Sequence, residues 1–279
     1  MRALVAHGFS HVHGFDPTFD ESTLGAEERE RITAHRAYYD EAHAAIETSL
    51  VACRSALQYF REPRPFVQSI ARTLASQPRT VVYFEVPSAE ETFSRQVVWN
   101  IAYEHGCFFS PGSLSMLFRS CGFRVLDILP GLNGSQLELE AMPGSAPPPH
   151  PFESRERLEE LRASVDAFAS VRAARIREWQ DRLSRAAAAG QRVVLWGAGA
   201  RAISMLGSLA DTSAISAVAD INPARQGRFM PRSGLPVISP DILKSTSPDL
   251  VVATNPNFAG EIRASLHALG IDCAFAVLH

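Results

Sequence analysis

At 279 residues the chain exceeds the usual size of one domain, so two are expected, and 46% hydrophobic with 20% charged residues supports a core in each and excludes disorder. A net charge of -3 offers no basic footprint for nucleic acid, and no run of about 18 apolar residues is present to cross a membrane. Cys53, Cys107, Cys121 and Cys273 are scattered, with no CxxC pair and no signal peptide ahead of them, which points to a reducing cytoplasm and away from a structural zinc site. Chemistry on a small-molecule substrate is what remains, with the oligomeric state not legible.

In chain order, residues 48–54 (TSLVACR) and 80–86 (TVVYFEV) read as strands, being short, β-branched or alternating and bounded by turn residues. Residues 63–76 between them carry Phe66, Ile70 and Leu74 on one helical face. A second helix is expected over 110–121, opened by the Ser110-Pro111 cap, followed by strands at 123–129 and 135–141. Strands alternating with helices predict a layered α/β domain over residues 1–143. The run "PGSAPPPHP" at 143–151 then reads as a linker, because its prolines fit neither a helix interior nor a central strand. Within 144–186, a charged tract beginning near 153 and reaching 189 spaces Leu158, Leu161, Val165, Phe168, Val171 and Ile176 as one helical stripe for packing on a domain. A second α/β unit occupies 187–279, with an apolar strand opening "RVVLWGAGARAISML", further strands at 216–220, 249–254 and 273–278, and a helix at 257–269.

That second unit holds a G-x-G-x-x-A pattern, Gly197, Gly199 and Ala202, directly after a strand and at a helix start, with Asp220 ending the next strand. Glycines there let a backbone approach a pyrophosphate at the positive helix end, and the acid can take ribose hydroxyls. A tight strand-to-helix crossing produces the same pattern without a ligand, so both readings stay open. Arg201 in the loop is a cation for a phosphate or a surface arginine, and Asn255 at a strand end is a binding residue or a turn. His11 and His13 alternate near the start, but no third ligand follows at metal spacing, so no metal is expected.

The run "ALQYFREPRPFVQSIARTL … VVYFEVPS … NIAYEHGCFFSPGSLSMLFRSCGFRV … LNGSQLELEA" resembles the later two-thirds of a class I S-adenosylmethionine-dependent methyltransferase, of the sugar C-methyltransferase group. "LWGAGARAISML", "ADINPARQGRFMPRSGLPVIS" and "DLVVATNPNFAGEI" are similar to the Rossmann-like C-terminal domain of that group. The resemblance implies S-adenosylmethionine as cofactor and a nucleotide-linked ketosugar as substrate, its pyrophosphate held in part by Gly197, Gly199, Arg201, Asp220 and Asn255. It also implies that "MRALVAHGFSHVHGFDPTFDE" is the family's first helix and second strand, so that Asp16 holds the donor ribose. C-methylation needs a base to form a carbanion equivalent beside a carbonyl; His105 suits this with an ordinary pKa of about 6.5, while Glu104 orients or tunes it and Tyr103 hydrogen-bonds the developing enolate. The competing reading of the three is a structural turn.

Departures from the family are equally specific. The glycine-rich loop after the family's first strand is absent, Ser55, Gln58 and Tyr59 stand where a His-x-x-Glu-His pattern is usual, and no cysteine-rich zinc module precedes them. The fold expected is thus α/β: an incomplete class I methyltransferase domain, a long helix and a second Rossmann-like domain. A piece of sequence ahead of Met1 is expected in preference to degeneration, because loss of a central strand leaves neighbouring strand edges unpaired. The chain as written is then expected to hold the donor weakly and to lack activity. The alternatives are an NAD(P)-dependent oxidoreductase working through the second domain, and a non-catalytic remnant that binds a nucleotide-sugar.

Overall fold

Val82, Phe84 and Val86 are fully buried on one face of their strand, and this period of two between helices with apolar stripes builds the first part of the molecule in layers. The computed structural model describes residues 1–144 and 155–279. The first part runs α1 (Arg2–Ala6), β1 (Val12–Phe15), α2 (Ala26–Arg31), β2 (Ile32–His35), β3 (Leu50–Arg54), α3 (Pro63–Thr73), β4 (Val81–Pro87), α4 (Ala89–Phe93), α5 (Pro111–Ser120), β5 (Phe123–Gly131) and β6 (Gln136–Pro143). The four strands and two helices expected between 48 and 141 are all present, with ends shifted by up to three residues. Helix α5 begins as its sequence dictates: Ser110 Oγ accepts from Ser113 N–H at 3.2 Å, Pro111 takes the first helical position, and Leu114 and Phe118 are fully buried.

The sheet has the order β3-β4-β6-β5, with β3 parallel to β4 and β6 antiparallel to both its neighbours. Strands β1 and β2 pair in parallel as a separate two-stranded sheet. Among the described residues, β1 pairs only with β2 and β3 only with β4, so each has one open edge. The two-stranded unit is tied to α3 by Tyr39 Oη donating to Thr73 Oγ1 at 2.8 Å and by Arg72 Nε donating to Glu41 at 2.7 Å. Strand β2 had no signal in the sequence, since its four residues lie against a charged helix without alternation.

The expected linker at 143–151 lies outside the described residues from 145 onward. Helix α6 (Arg155–Ala188) follows, then β7 (Val193–Trp196), α7 (Ala200–Ser208), β8 (Ile215–Ala219), β9 (Val237–Ile238), α8 (Leu243–Thr246), β10 (Leu250–Ala253), α9 (Ala259–Ala268) and β11 (Ala274–Val277). Only part of the α6 stripe packs as expected: Leu158 and Val165 are exposed, whereas Phe168, Val171 and Ile176 pack on the core, Phe168 against Phe93 of α4, and Trp179, Leu183 and Ala186 continue that face. That sheet is wholly parallel in the order β11-β10-β7-β8-β9. Numbered within the unit this is 3-2-1-4-5 read from β9, the Rossmann-like arrangement, with the switch in direction between β7 and β10. Val98 and Trp99 of the first part are fully buried in the same apolar cluster as Val193, Leu195 and Met205 of the second, so the two parts share a core.

Candidate active site

The carboxyl ends of β3 and β4 carry the loops that build the site, as open α/β sheets do. After β3 a 3-10 turn, Leu57–Tyr59, buries Leu57 and Gln58 and leaves Tyr59 outside. The Gln58 carbonyl accepts from Gly106 N–H at 2.8 Å and from Cys107 N–H at 3.1 Å, and Cys107 Sγ donates to the Phe60 carbonyl at 3.0 Å. Gly106 has no room for a side chain, since a Cβ would lie 2.8 Å from Phe60 O. The loop after Ala102 is therefore seated directly on the backbone of residues 58–61.

This seating presents His105. Its imidazole meets Tyr59 (ring centroids 5.5 Å) and Phe108 (5.7 Å), both edge-on, and its Nδ1 is buried without a hydrogen-bond partner. Burial lowers its pKa below the ordinary value of 6.5, against an opposing pull from the Glu104 carboxylate. A neutral imidazole with an unsatisfied nitrogen is the state a general base requires. Gln58 Oε1 and Gln136 Oε1, the latter beside the end of β4, are also buried without partners, so unmet polar capacity gathers at this end of the sheet. Glu85, at the same end, is held by Arg54 at 3.0 Å and by Ser55 Oγ at 3.1 Å.

The three side chains read together at 103–105 part company. Tyr103 is 87% exposed and makes none of the ring contacts to His105; Glu104 is exposed and reaches His105 only through its charge. Tyr59 is the phenol against the imidazole. The sequence had marked Gln58 and Tyr59 only as departures from a family pattern, and it gave no sign of Trp99 and Asn100, which lead into this loop.

Asp16 sits at the end of β1, exposed. Its Oδ1 accepts from Thr18 N–H and from Thr18 Oγ1, each at 2.7 Å, and these bonds hold the carboxyl below its ordinary range. A strand-end carboxylate fixed through one oxygen and open to solvent fits the ribose hydroxyls of S-adenosylmethionine. No second glycine-rich strand-to-helix loop accompanies it among the described residues of the first part.

In the second part, Gly197, Asp220 and Arg201 around the glycine loop each meet a partner within the fold. Gly197 has φ +107°, and a Cβ on it would lie 2.5 Å from Thr254 Oγ1, so glycine is needed for the turn and for the approach of β10. Gly199 caps α7 with open space beside it. Asp220 is buried: burial pushes its pKa up, but N–H donors of Asn222 (2.8 Å) and Ala198 (2.7 Å), with Arg225 (3.0 Å), outweigh this and hold it below its ordinary range. That carboxylate is turned onto its own loop. Arg201, expected at a phosphate, is half-buried and donates to Asn100 Oδ1 at 2.7 Å and to Asn255 Oδ1 at 3.1 Å. Arg201 and Asn255 thus meet, but at the junction with the first part. The neighbouring Asn257 reaches the Leu132 carbonyl and Ser135 Oγ there at 3.4 Å each.

Among the described residues no group of three or more His, Cys, Asp or Glu side chains is arranged to hold a metal ion, and no helix is long and apolar enough to cross a membrane. His13 Nδ1 lies 3.0 Å from His35 Nε2, in an exposed cluster with His11. All four cysteines are free, and burial pushes the Cys53 thiol up to about 11, so it is no nucleophile.

Residues 1–128 match the family model of a methyltransferase domain, and residues 152–275 match that of the C-methyltransferase C-terminal domain. The C-methyltransferase NovU of Streptomyces niveus is 26% identical over 226 residues, which make up 76% of this chain and 52% of that protein. The chain therefore spans about half the length of that relative. The crystal structure of methyltransferase CalO6 aligns with a TM-score of 0.38 at 18% identity, over 50% of this chain and 52% of that one.

Proposed function

We propose that the chain, whose two parts match a methyltransferase domain and the C-methyltransferase C-terminal domain, methylates a carbon beside a carbonyl, with S-adenosylmethionine as donor and a nucleotide-linked ketosugar as substrate. The observation that carries this reading is His105, a half-buried imidazole kept neutral by burial, with Nδ1 unpartnered, at the carboxyl end of the sheet. His105 takes the proton from the carbon next to the carbonyl and becomes imidazolium, and the exposed Glu104 carboxylate favours that charged form. Tyr59 and Phe108 hold the ring between them, so that little motion separates the resting base from its working position. When bound, S-adenosylmethionine supplies the electrophilic methyl, and Asp16 holds its ribose.

The commitment of Asp220 to the Ala198 and Asn222 amides favours methyl transfer over a nicotinamide cofactor in the second domain, since an acid that caps its own loop is not free for a ribose. The test needs no donor. A nucleoside-diphosphate ketosugar in deuterated water should exchange the proton at the carbon beside its carbonyl, followed by NMR. His105→Asn should slow this about 100- to 10,000-fold, the scale of a lost general base, while stability falls only by the lost ring contacts to Tyr59 and Phe108, about 0.5–1.5 kcal/mol each, since Nδ1 had no hydrogen bond to lose. Exchange at the wild-type rate in that variant would remove His105 from the mechanism.

A further inference from the structure

The residues leading into the His105 loop are anchored by the second domain. Trp99 is fully buried among Val193, Leu195 and Met205, and its Nε1 donates to the His279 carbonyl at 3.0 Å. Ile101 packs on the same cluster. Between them Asn100 is held through both ends of its amide: Oδ1 accepts from Arg201 Nε at 2.7 Å, and Nδ2 donates to Thr92 Oγ1 at 3.3 Å. Thr92 is itself fully buried, so this bond ties the amide to α4. Arg201 is fixed in turn by Asn255 at the end of β10.

Four residues beyond Ile101 stands His105, with a single turn between them closed by His105 N–H on the Ala102 carbonyl at 3.1 Å. Immediately after it, Gly106 and Cys107 are held by Gln58. The base thus sits on a short span pinned at both ends, on one side by the first domain's own backbone and on the other by Arg201 and its neighbours from the second. We propose that Arg201, acting through Asn100, is a positioning residue for His105, and that the second domain serves the chemistry by fixing the loop that carries the base. This rests on His105 being that base.

Loss of the guanidinium should release Asn100, let residues 101–105 move, and admit water to the imidazole. The charged groups around this junction are Glu104 on the loop, Glu91 on α4 and Arg95, which pairs with Glu91 at 3.1 Å; none of them replaces the Asn100 bond. The experiment follows the His105 ring by nitrogen-15 NMR through a pH titration, with its signals assigned by their loss in His105→Asn, alongside amide exchange of residues 101–106. In Arg201→Ala the midpoint should rise toward 6.5 and exchange should quicken about 10- to 100-fold, the scale of one charge-assisted hydrogen bond, while β7 and β10 keep their protection. Asn100→Leu, which leaves Arg201 and Asn255 in place, should reproduce the effect and covers the case of an Arg201 variant that does not fold. Asn100→Asp keeps the acceptor for Arg201 while losing the Nδ2 bond to Thr92, and its amide exchange over residues 101–106 should stay slower than that of Asn100→Leu. An unchanged midpoint and unchanged exchange in Arg201→Ala or Asn100→Leu would overturn the positioning role. A shifted midpoint with substrate-proton exchange intact in His105→Asn would instead overturn the assignment of the base.

Discussion

Replacing Gly106 by alanine tests whether the loop is seated as described. The new Cβ would lie 2.8 Å from Phe60 O and 2.9 Å from Arg61 N and Phe60 C, all backbone atoms that cannot swing aside. Either the overlap is accepted, at the cost of overpacking, about 1–3 kcal/mol, or the loop lifts. Lifting gives up the Gly106 and Cys107 N–H bonds to Gln58, worth about 0.5–1.5 kcal/mol each. The two are alternatives, since lifting relieves the overlap, so the net loss is about 1–3 kcal/mol by either route. At about 2–4 °C per kcal/mol for a chain of this size, the melting temperature should fall by about 2–12 °C. Gly260→Ala, in α9 with open space around it, serves as the control and should hold stability or gain up to about 1 kcal/mol. Melting of Gly106→Ala alongside wild type, with His105 amide exchange unaltered, would refute the seating and with it the geometry assigned to the base.

The glycine loop offers a second contrast: Gly197→Ala, at φ +107° and 2.5 Å from Thr254 Oγ1, should lower stability by about 1–3 kcal/mol, whereas Gly199→Ala should fold with wild-type stability, as thermal melts of the two would check. Acid should destabilise the protein through His13 and His105. Burial lowers both below 6.5, with His11 and His35 adding to the effect at His13; their neutral forms thus contribute stability that is complete above 6.5 and declines as pH falls from there through the lower folded values. Denaturant midpoints at about pH 7.5 and about pH 5.5 should show that decline, and it should shrink in His13→Gln.

The strands were legible because apolar runs and alternation reflect burial that any packing of this chain must satisfy. "VVLW" and "LVVA" are inner strands of a parallel sheet and so are apolar on both faces, and Val82, Phe84 and Val86 alternate because one face of β4 is core. Strand β2 was hidden because four residues on a two-stranded edge need no such pattern. The candidate site was legible only in part, since neighbours in sequence are not neighbours across a turn. Tyr103 goes to water while His105 folds back onto Tyr59, which joins the site from the turn after β3.

The glycine loop shows where such reading stops for a physical reason. A G-x-G-x-x-A run after a strand encodes a backbone path, and Gly197 is explained by that path and by Thr254 alone. Whether the loop takes an anion depends on whether its amides are free, which is decided by side chains elsewhere. Here Asp220 already occupies the Ala198 amide, and Arg201 is turned away to Asn100. Both partners sit far from the loop in sequence: Asp220 ends another strand, and Asn100 belongs to the other domain. With the Ala198 amide and the Arg201 guanidinium both engaged, this region links the two domains. Arg201 is the residue through which that link reaches the span before His105.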